Sequence, residues 1–350
     1  MQTIKTSWLF ILILLMACGE TAPEPTPPPL LPTPTPTAQI RGEPLPGQLL
    51  FVQDGTIWKW SGDGAFPLLG AGVASQPAWS PDGSRIAYVE QGDSYSDLML
   101  ANATGEHLQQ LTFNGSSQPA GSQERVRAST WALYPAFAPD GNEIVVSGQA
   151  GPPFGSPAIE YNLGLFAVNT GSGVARRLFA ETEAHCGRAV YAPDGRTIVY
   201  THAHIGAEGY QQLYRLDPIT GTSGPFPGAP QPSYDPAFSP DGGWLAFAAH
   251  VDGGTDILAL PAGGDGSEAI RLTEQGTARA PAFAPDGSKL AFLAIPPAAA
   301  GFEIWVADVE RDAAGRLSAG PARQLTNDMQ VDGDSGLAWA AEPPNVSAVP

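Results

Sequence analysis

A turn written five times constrains this chain more than any other feature. The copies read PAWSPDGSRIAYVE (Pro77 to Glu90), PAFAPDGNEIVVS (Pro135 to Ser147), AVYAPDGRTIVYT (Ala189 to Thr201), PAFSPDGGWLAFA (Pro236 to Ala248) and PAFAPDGSKLAFL (Pro281 to Leu293). Their prolines, Pro81, Pro139, Pro193, Pro240 and Pro285, are spaced by 58, 54, 47 and 45 residues. Periods of that size mean a propeller or a solenoid. A sixth copy, GLAWAAEPP (Gly336 to Pro344), follows the pattern through Trp339 and then loses the turn.

Each unit reads as four short strands. In the second strand one face carries Ile86/Tyr88, Ile144/Val146, Ile198/Tyr200, Leu245/Phe247 and Leu290/Phe292, and the other carries Ala87, Val145, Val199, Ala246 and Ala291. Both faces are apolar, so the strand is covered on both sides. Four-stranded blades stacked around an axis give that pattern. The stretch Gln48 to Gly70 supplies the later strands of one blade, and GLAWAA (Gly336 to Ala341) supplies a first strand. Joining them closes the ring and removes the open edges that threaten β proteins. The expected fold is all-β: a six-bladed β-propeller of four-stranded antiparallel blades, closed by N-terminal strands pairing with the C-terminal strand.

The consensus P-A-[FW]-[SA]-P-D-G-x-x-[IL]-[AV]-[FY] resembles the WD-like repeats of TolB-type six-bladed propellers, over nearly all of residues 48 to 342. TolB itself has an α/β domain before its propeller; here a Pro/Thr-rich stretch precedes the blades instead. The resemblance implies partner or ligand binding. Some relatives are propellers attached to hydrolases or lyases.

The N-terminus reads as a targeting segment. Lys5 precedes a nine-residue apolar core, WLFILILLM (Trp8 to Met16), too short to span a bilayer. It runs into LMAC (Leu15 to Cys18), which resembles the bacterial lipobox and implies cleavage before a lipidated Cys18. The alternative is an ordinary secretory signal with an incidental cysteine. Lipid on Cys18 leaves Cys186 without a disulfide partner. Residues 19–46 are Pro/Thr-rich and read as an extended tether. The expected organisation is residues 1–17 signal peptide, 18–46 lipidated cysteine and linker, 47–342 propeller and 343–350 tail.

Charge excludes some partners. The chain has a formal net charge of -18, and its only lysines are Lys5, Lys59 and Lys289. No basic patch is available to neutralise a row of phosphates, so nucleic acid is not an expected partner.

The turn is mechanical. Proline suits the first central position of a type I turn, aspartate the second, and glycine the left-handed residue that follows. Asp82, Asp140, Asp194, Asp241 and Asp286 are therefore expected to be scaffold, each side chain bonding local backbone. Long irregular loops fall on the opposite face: Thr112 to Tyr134, Gly148 to Asn162, Thr201 to Gln212 and Thr326 to Gly336. Variable loops on a rigid frame are where binding residues concentrate. Trp131, Tyr134, Tyr161, Arg188, Tyr210, Tyr234, Asp235 and Arg279 are the candidate ligand-binding residues there.

Four histidines fall on the same face: His185, His202, His204 and His250. They are the candidate metal ligands, with Glu181, Glu183, Glu208 or Asp252 as carboxylate partners. Some propeller lyases hold a catalytic metal through histidines, but their motif does not match here residue by residue. No G-x-S-x-G elbow and no H-E-x-x-H is present. GDSG (Gly333 to Gly336) reads as a turn, with Asp328, Asp332 and Asp334 as a weak Ca²⁺ site at best. Cys186 beside His185 is poor evidence for a dyad, because neighbours on a strand point apart.

The expectation is a monomeric, membrane-anchored lipoprotein outside the cytoplasm, at the cell surface or in the periplasm. It binds an envelope protein, peptide or glycan without catalysis and without a cofactor. The alternatives are a metal-assisted lyase or hydrolase acting on an extracellular polymer, and a structural spacer in an envelope assembly.

Overall fold

Alternation on the second strands predicts two covered faces, and the computed structural model shows what covers them. It describes residues 40–151, 162–205 and 210–343, all within one compact unit, Thr37–Pro350. The signal segment, Cys18, most of the linker, Tyr161, Glu208 and residues 344–350 lie outside the described residues.

The chain opens with β1 (Ile40–Gln53) and β2 (Thr56–Leu69). Blade two follows as β3 (Ala74–Trp79), β4 (Arg85–Gln91), β5 (Ser96–Asn102) and β6 (His107–Gln110). Blade three holds β7 (Ala132–Phe137), β8 (Glu143–Gln149), β9 (Leu163–Asn169) and β10 (Ala175–Phe179). Blade four holds β11 (Ala184–Tyr191), β12 (Ile198–His204), β13 (Gln211–Leu216) and β14 (Ser223–Pro225). Blade five holds β15 (Ser233–Phe238), β16 (Trp244–Val251), β17 (Gly254–Pro261) and β18 (Ile270–Arg271). Blade six holds β19 (Arg279–Phe283), β20 (Lys289–Ala294), β21 (Glu303–Arg311), and two short outer strands, β22 (Leu317–Ala319) and β23 (Arg323–Gln324), both paired to β21. Finally β24 (Ala338–Ala340) is the inner strand of blade one and pairs antiparallel with β1 through Gln48↔Ala340, Leu49↔Trp339 and Leu50↔Ala338. Every pairing within the blades is antiparallel, and the six sheets form a closed ring.

Blade one is built from two long strands. β2 runs unbroken through Gly62-Asp63-Gly64, and its second half returns past its first. Gly55 O accepts from Gly72 N and Ala74 N, and Leu68 and Leu69 pack on the cluster that contains Ile57. β1 begins at Ile40, inside the stretch read as linker, because residues 40–45 ladder onto Gly62–Ala65.

Six apolar clusters hold the ring, one at each junction between adjacent blades. Ile86 and Tyr88 of β4 pack toward blade one, while Ala87 packs toward blade three. Ile144 and Val146 face blade two while Val145 faces blade four, and Leu290 and Phe292 face blade five while Ala291 faces blade one. Large residues on one face meet small ones on the next blade, which lets the sheets approach closely. Each fully buried large side chain contributes about 1.5–3 kcal/mol.

Local chemistry fixes the two ends of each blade. At one end, the Oδ1 atoms of Asp82, Asp140, Asp194, Asp241 and Asp286 accept the backbone N–H two residues on, at 2.9–3.1 Å. The glycines that follow have φ of 67° to 73°, so the five turns are scaffold. At the other end, the Leu-Thr pairs find buried acids. Thr112, Thr273 and Thr326 donate to Asp97, Asp256 and Glu303 at 3.0, 2.9 and 2.6 Å. Each threonine also accepts a backbone N–H of the third strand. Within the long loop before blade three sits a short helix, α1 (Gln123–Ala128), capped by Ser122, whose side chain accepts from Arg125 N. Sequence reading expects only irregular chain there; one Ser cap is enough for a single turn.

Candidate functional site at the channel mouth

All six inner strands line an axial cavity of about 530 Å³. On the turn side its wall is proline and aromatic: Pro81, Pro139, Pro193 and Pro240, with Trp79, Phe137, Tyr191, Phe238, Phe283 and Trp339. Toward the loop face the wall becomes polar, and a second cavity of about 370 Å³ opens there. Arg188 and Asp235 border both.

The polar mouth follows from one backbone device. Five of the six inner strands slip register just before the Pro-Ala or equivalent step: between Ser75 and Ala78, Leu133 and Ala136, Cys186 and Ala189, Tyr234 and Ala237, and Arg279 and Ala282. Bulges re-aim side chains and bend the strand. In four of these strands the residue at the slip is left-handed without being glycine: Gln76 (φ 51°), Tyr134 (53°), Asp235 (53°) and Ala280 (51°). Gly336 holds the same place in blade one, with φ 71°. Arg188 is the blade-four counterpart, and its strand bulges at Gly187 with no proline following. A left-handed non-glycine residue costs about 1 kcal/mol or more, and the closed frame imposes that conformation around the axis.

Five of the eight residues read from the sequence meet at this mouth: Tyr134, Arg188, Tyr234, Asp235 and Arg279 line one cavity, with Asp334. Asp235 is buried between the two arginines. Its Oδ1 lies 3.3 Å from Arg188 Nε, and its Oδ2 accepts from Arg279 Nε at 3.1 Å and from Ala280 N at 3.3 Å. Arg279 Nη1 donates to Asp334 Oδ1 at 2.9 Å, and Arg188 Nη2 donates to the Asp334 carbonyl at 2.7 Å. Each guanidinium rests on a ring: Arg188 is 4.9 Å from the Tyr134 centroid, and Arg279 is 5.7 Å from Tyr234 and 6.0 Å from Phe302. Such cation–π contacts orient the guanidinium as well as stabilising it. Burial works against the Arg279 charge, but Asp235 and Asp334 together hold its pKa above the ordinary arginine value. Burial pushes the Tyr134 phenol up. Gly336 completes the fit: a Cβ there would stand 2.9 Å from Arg188 Nη1.

The other three candidates lie elsewhere. Trp131 sits between blades two and three, bridged to Ser96, with its indole N–H donating to Ser94 O at 3.1 Å. Tyr210 is exposed at the start of the third strand of blade four and does not line the mouth. Tyr161 is outside the described residues.

Sequence reading does not place Gln76, Asp334 or Ser335 among the mouth residues. Asp332 accepts from Ser335 Oγ at 2.6 Å, Ser335 Oγ accepts from Gln76 N at 3.1 Å, and Gln76 Oε1 accepts from Tyr134 N at 2.7 Å. The GDSG segment is thus a turn whose serine ties blade one to blade two, and Gln76 carries the tie to blade three. A signal was present. Gln76, Tyr134, Arg188, Asp235 and Ala280 stand at one repeat position, six before each turn aspartate, and its chemistry differs in every copy.

The histidines do not form one donor set. His202 is buried, stacked on Tyr214 at 4.0 Å, with Nε2 2.9 Å from Glu181 Oε2. His204 lies edge-on to it at 5.7 Å. His185 Nδ1 accepts from Leu163 N at 3.3 Å, and the register sets Cys186, not His185, across from His202. His250 is exposed on β16. Among the described residues no three His, Cys, Asp or Glu side chains are grouped to hold a metal ion; Glu208, one of the carboxylates read as a partner for the histidines, lies outside the described residues. Cys186 is fully buried and its thiol is pushed up to about 12, chiefly by desolvation. That is the opposite of an activated nucleophile.

No family model and no curated protein matches the sequence. The fold matches solved structures. TolB from Acinetobacter baumannii superposes with a TM-score of 0.61 at 18% identity, covering 85% of this chain and 67% of that one. A putative TolB from Agrobacterium tumefaciens gives 0.58 at 16%, covering 85% and 95%. A chain of a nidogen/laminin complex gives 0.54 at 11%, covering 83% and 97%. Sequence repeats, ring topology and these superpositions agree that this chain has the fold of a TolB-like six-bladed β-propeller.

Proposed function

We propose that this chain is a lipid-anchored binding module outside the cytoplasm, whose propeller takes a protein, peptide or glycan partner at the loop-face mouth and performs no chemistry on it. The mouth carries the reading: two arginines on aromatic rings, a buried aspartate between them, and a rim built on left-handed bulges in a rigid ring. Tyrosine and arginine dominate binding hot spots, because they bring large contact area with few degrees of freedom. A preformed frame also lowers the entropy cost of association. The lipobox-like LMAC motif and the Pro-rich linker support lipidation of Cys18 and a tethered position at the cell envelope. Among the described residues no helix is long and apolar enough to cross a membrane.

Crosslinking and affinity capture from solubilised membranes of the native host, with the full chain as bait, test the proposal. Tyr134→Ala and Arg188→Ala are expected to lose at least one partner that Asp312→Asn, on the turn-side hairpin of blade six, retains. Capture unchanged by both mouth variants overturns it. Mass spectrometry of the mature N-terminus reads the anchor: an unmodified Cys18 removes the lipid from the proposal.

A further inference from the structure

Two guanidinium groups and one buried carboxylate form the fixed part of the mouth. Asp235 is anchored in the frame; its side chain is 7% exposed, and those of Arg188 and Arg279 are 18% and 23% exposed. Taken alone, that set carries one surplus positive charge, in a protein whose net charge is -18. The balancing charge comes from Asp334, and Asp334 is different in kind: its side chain is 76% exposed, and among the described residues its carboxylate makes one hydrogen bond, to Arg279 Nη1. Its backbone is held separately, by Asp332 below and by Arg188 Nη2 on its carbonyl. The side chain can therefore leave without unmaking the loop.

We propose that Asp334 is a tethered stand-in for an acidic side chain of a protein partner, which displaces it from Arg279 on binding. The inference rests on the mouth being the binding site. Arginine held flat on a ring offers paired N–H donors that match a carboxylate, and Arg279 Nη2 and Arg188 Nη1 make no hydrogen bond among the described residues. The cavity of about 370 Å³ accommodates a side chain or two, not a folded domain. An internal competitor lowers apparent affinity by the fraction of time that it occupies the site. Exposed ion pairs are worth little, so the occupancy is modest and its removal raises affinity about two- to sixfold.

Titration calorimetry of the full chain at low salt, with Ac-Gly-Glu-Gly-amide and its glutamine isostere as probes, tests this. Expected are tighter binding of the glutamate peptide, a gain of about two- to sixfold in Asp334→Asn, no gain in Asp312→Asn, and no Glu-over-Gln preference in Arg279→Gln. Equal binding of the two peptides, or an unchanged or weakened affinity in Asp334→Asn, overturns the inference. Glucuronic acid binding as well as the glutamate peptide overturns the assignment to a protein side chain. If peptide discrimination fails while Tyr134→Ala and Arg188→Ala still abolish partner capture, the binding reading stands and only the stand-in falls.

Discussion

Replacing Asp235 with asparagine removes the charge that holds the mouth together while leaving the backbone at ease, since asparagine tolerates a left-handed φ as well as aspartate does. The native carboxylate faces Arg279 Nε at 3.1 Å, Arg188 Nε at 3.3 Å and Ala280 N at 3.3 Å. Breaking a buried ion pair by removing one partner costs about 3–5 kcal/mol. Here the arginines reach water at about a fifth of their surface, so screening brings the expected loss to about 2–3 kcal/mol. For a domain of this size that lowers Tm by about 4–6 °C. Differential scanning calorimetry of wild type, Asp235→Asn, Arg279→Gln and the double variant reads it. The double variant is expected to be less destabilised than the sum of the singles by about 1–3 kcal/mol, because the orphaned charge goes with its partner. Raising salt should shrink the effect only slightly. A Tm within about 1 °C of wild type, or a coupling below about 0.5 kcal/mol, refutes the claim that Asp235 fixes the two guanidinium groups.

Four further outcomes are expected. Gly336→Ala places a Cβ against the Arg188 guanidinium; it should cost about 1 kcal/mol for its positive φ yet abolish partner capture, and unchanged capture would separate Arg188's position from binding. Cys186, buried with its thiol raised to about 12, should resist a maleimide at pH 8 in the folded protein and react fully in urea. Glu303 accepts from Thr326 Oγ1, Met329 N and Gln330 N, so Glu303→Ala, which leaves the first two donors buried without the carboxylate, should lose about 2–4 kcal/mol by urea unfolding. Asp82 titrates at about 2 rather than 3.8, first through the Ser80 hydroxyl and also through Ser84. Its folded pKa is the lower one, so its contribution is complete above the unfolded value and drains as pH falls from about 4 to about 2. The stability gap between wild type and Asp82→Asn should be flat at neutral pH and close across that window.

Much of the frame was legible because it repeats. Ile86, Tyr88 and Ala87 announced two covered faces, and the structure assigns the covers to blades one and three. The Leu-Thr endings were visible, but their partners, Asp97, Asp256 and Glu303, lie 15, 17 and 23 residues away and were not. The mouth was half legible. Tyr134, Arg188, Tyr234, Asp235 and Arg279 could be placed on the loop face from the turn count alone, since a blade two strands along returns to the same rim. Gln76 could not be seen as their neighbour. It is 58 residues from Tyr134, and its role depends on Oε1 accepting the Tyr134 N–H. The histidines show the limit of such a count: a shared rim gathers residues only to within a blade's width, whereas metal ligation needs convergence within a few ångströms.

The sequence alone determined the ring. A turn of fixed chemistry at a near-constant period, followed by strands apolar on both faces, leaves few alternatives to blades stacked about an axis, and an incomplete unit at each end leaves one way to close it. Only the tertiary structure decided the site. Arg188, Asp235, Arg279 and Asp334 come from blades four, five and six and the loop leading into blade one, and nothing local to any of them fixes their spacing. Closing the ring does so: it forces the inner strands to bulge at one level, turns one variable residue per blade toward the axis, and brings Arg279 to hydrogen-bonding distance of carboxylates 44 and 55 residues away and Arg188 to that of a backbone carbonyl 146 residues away.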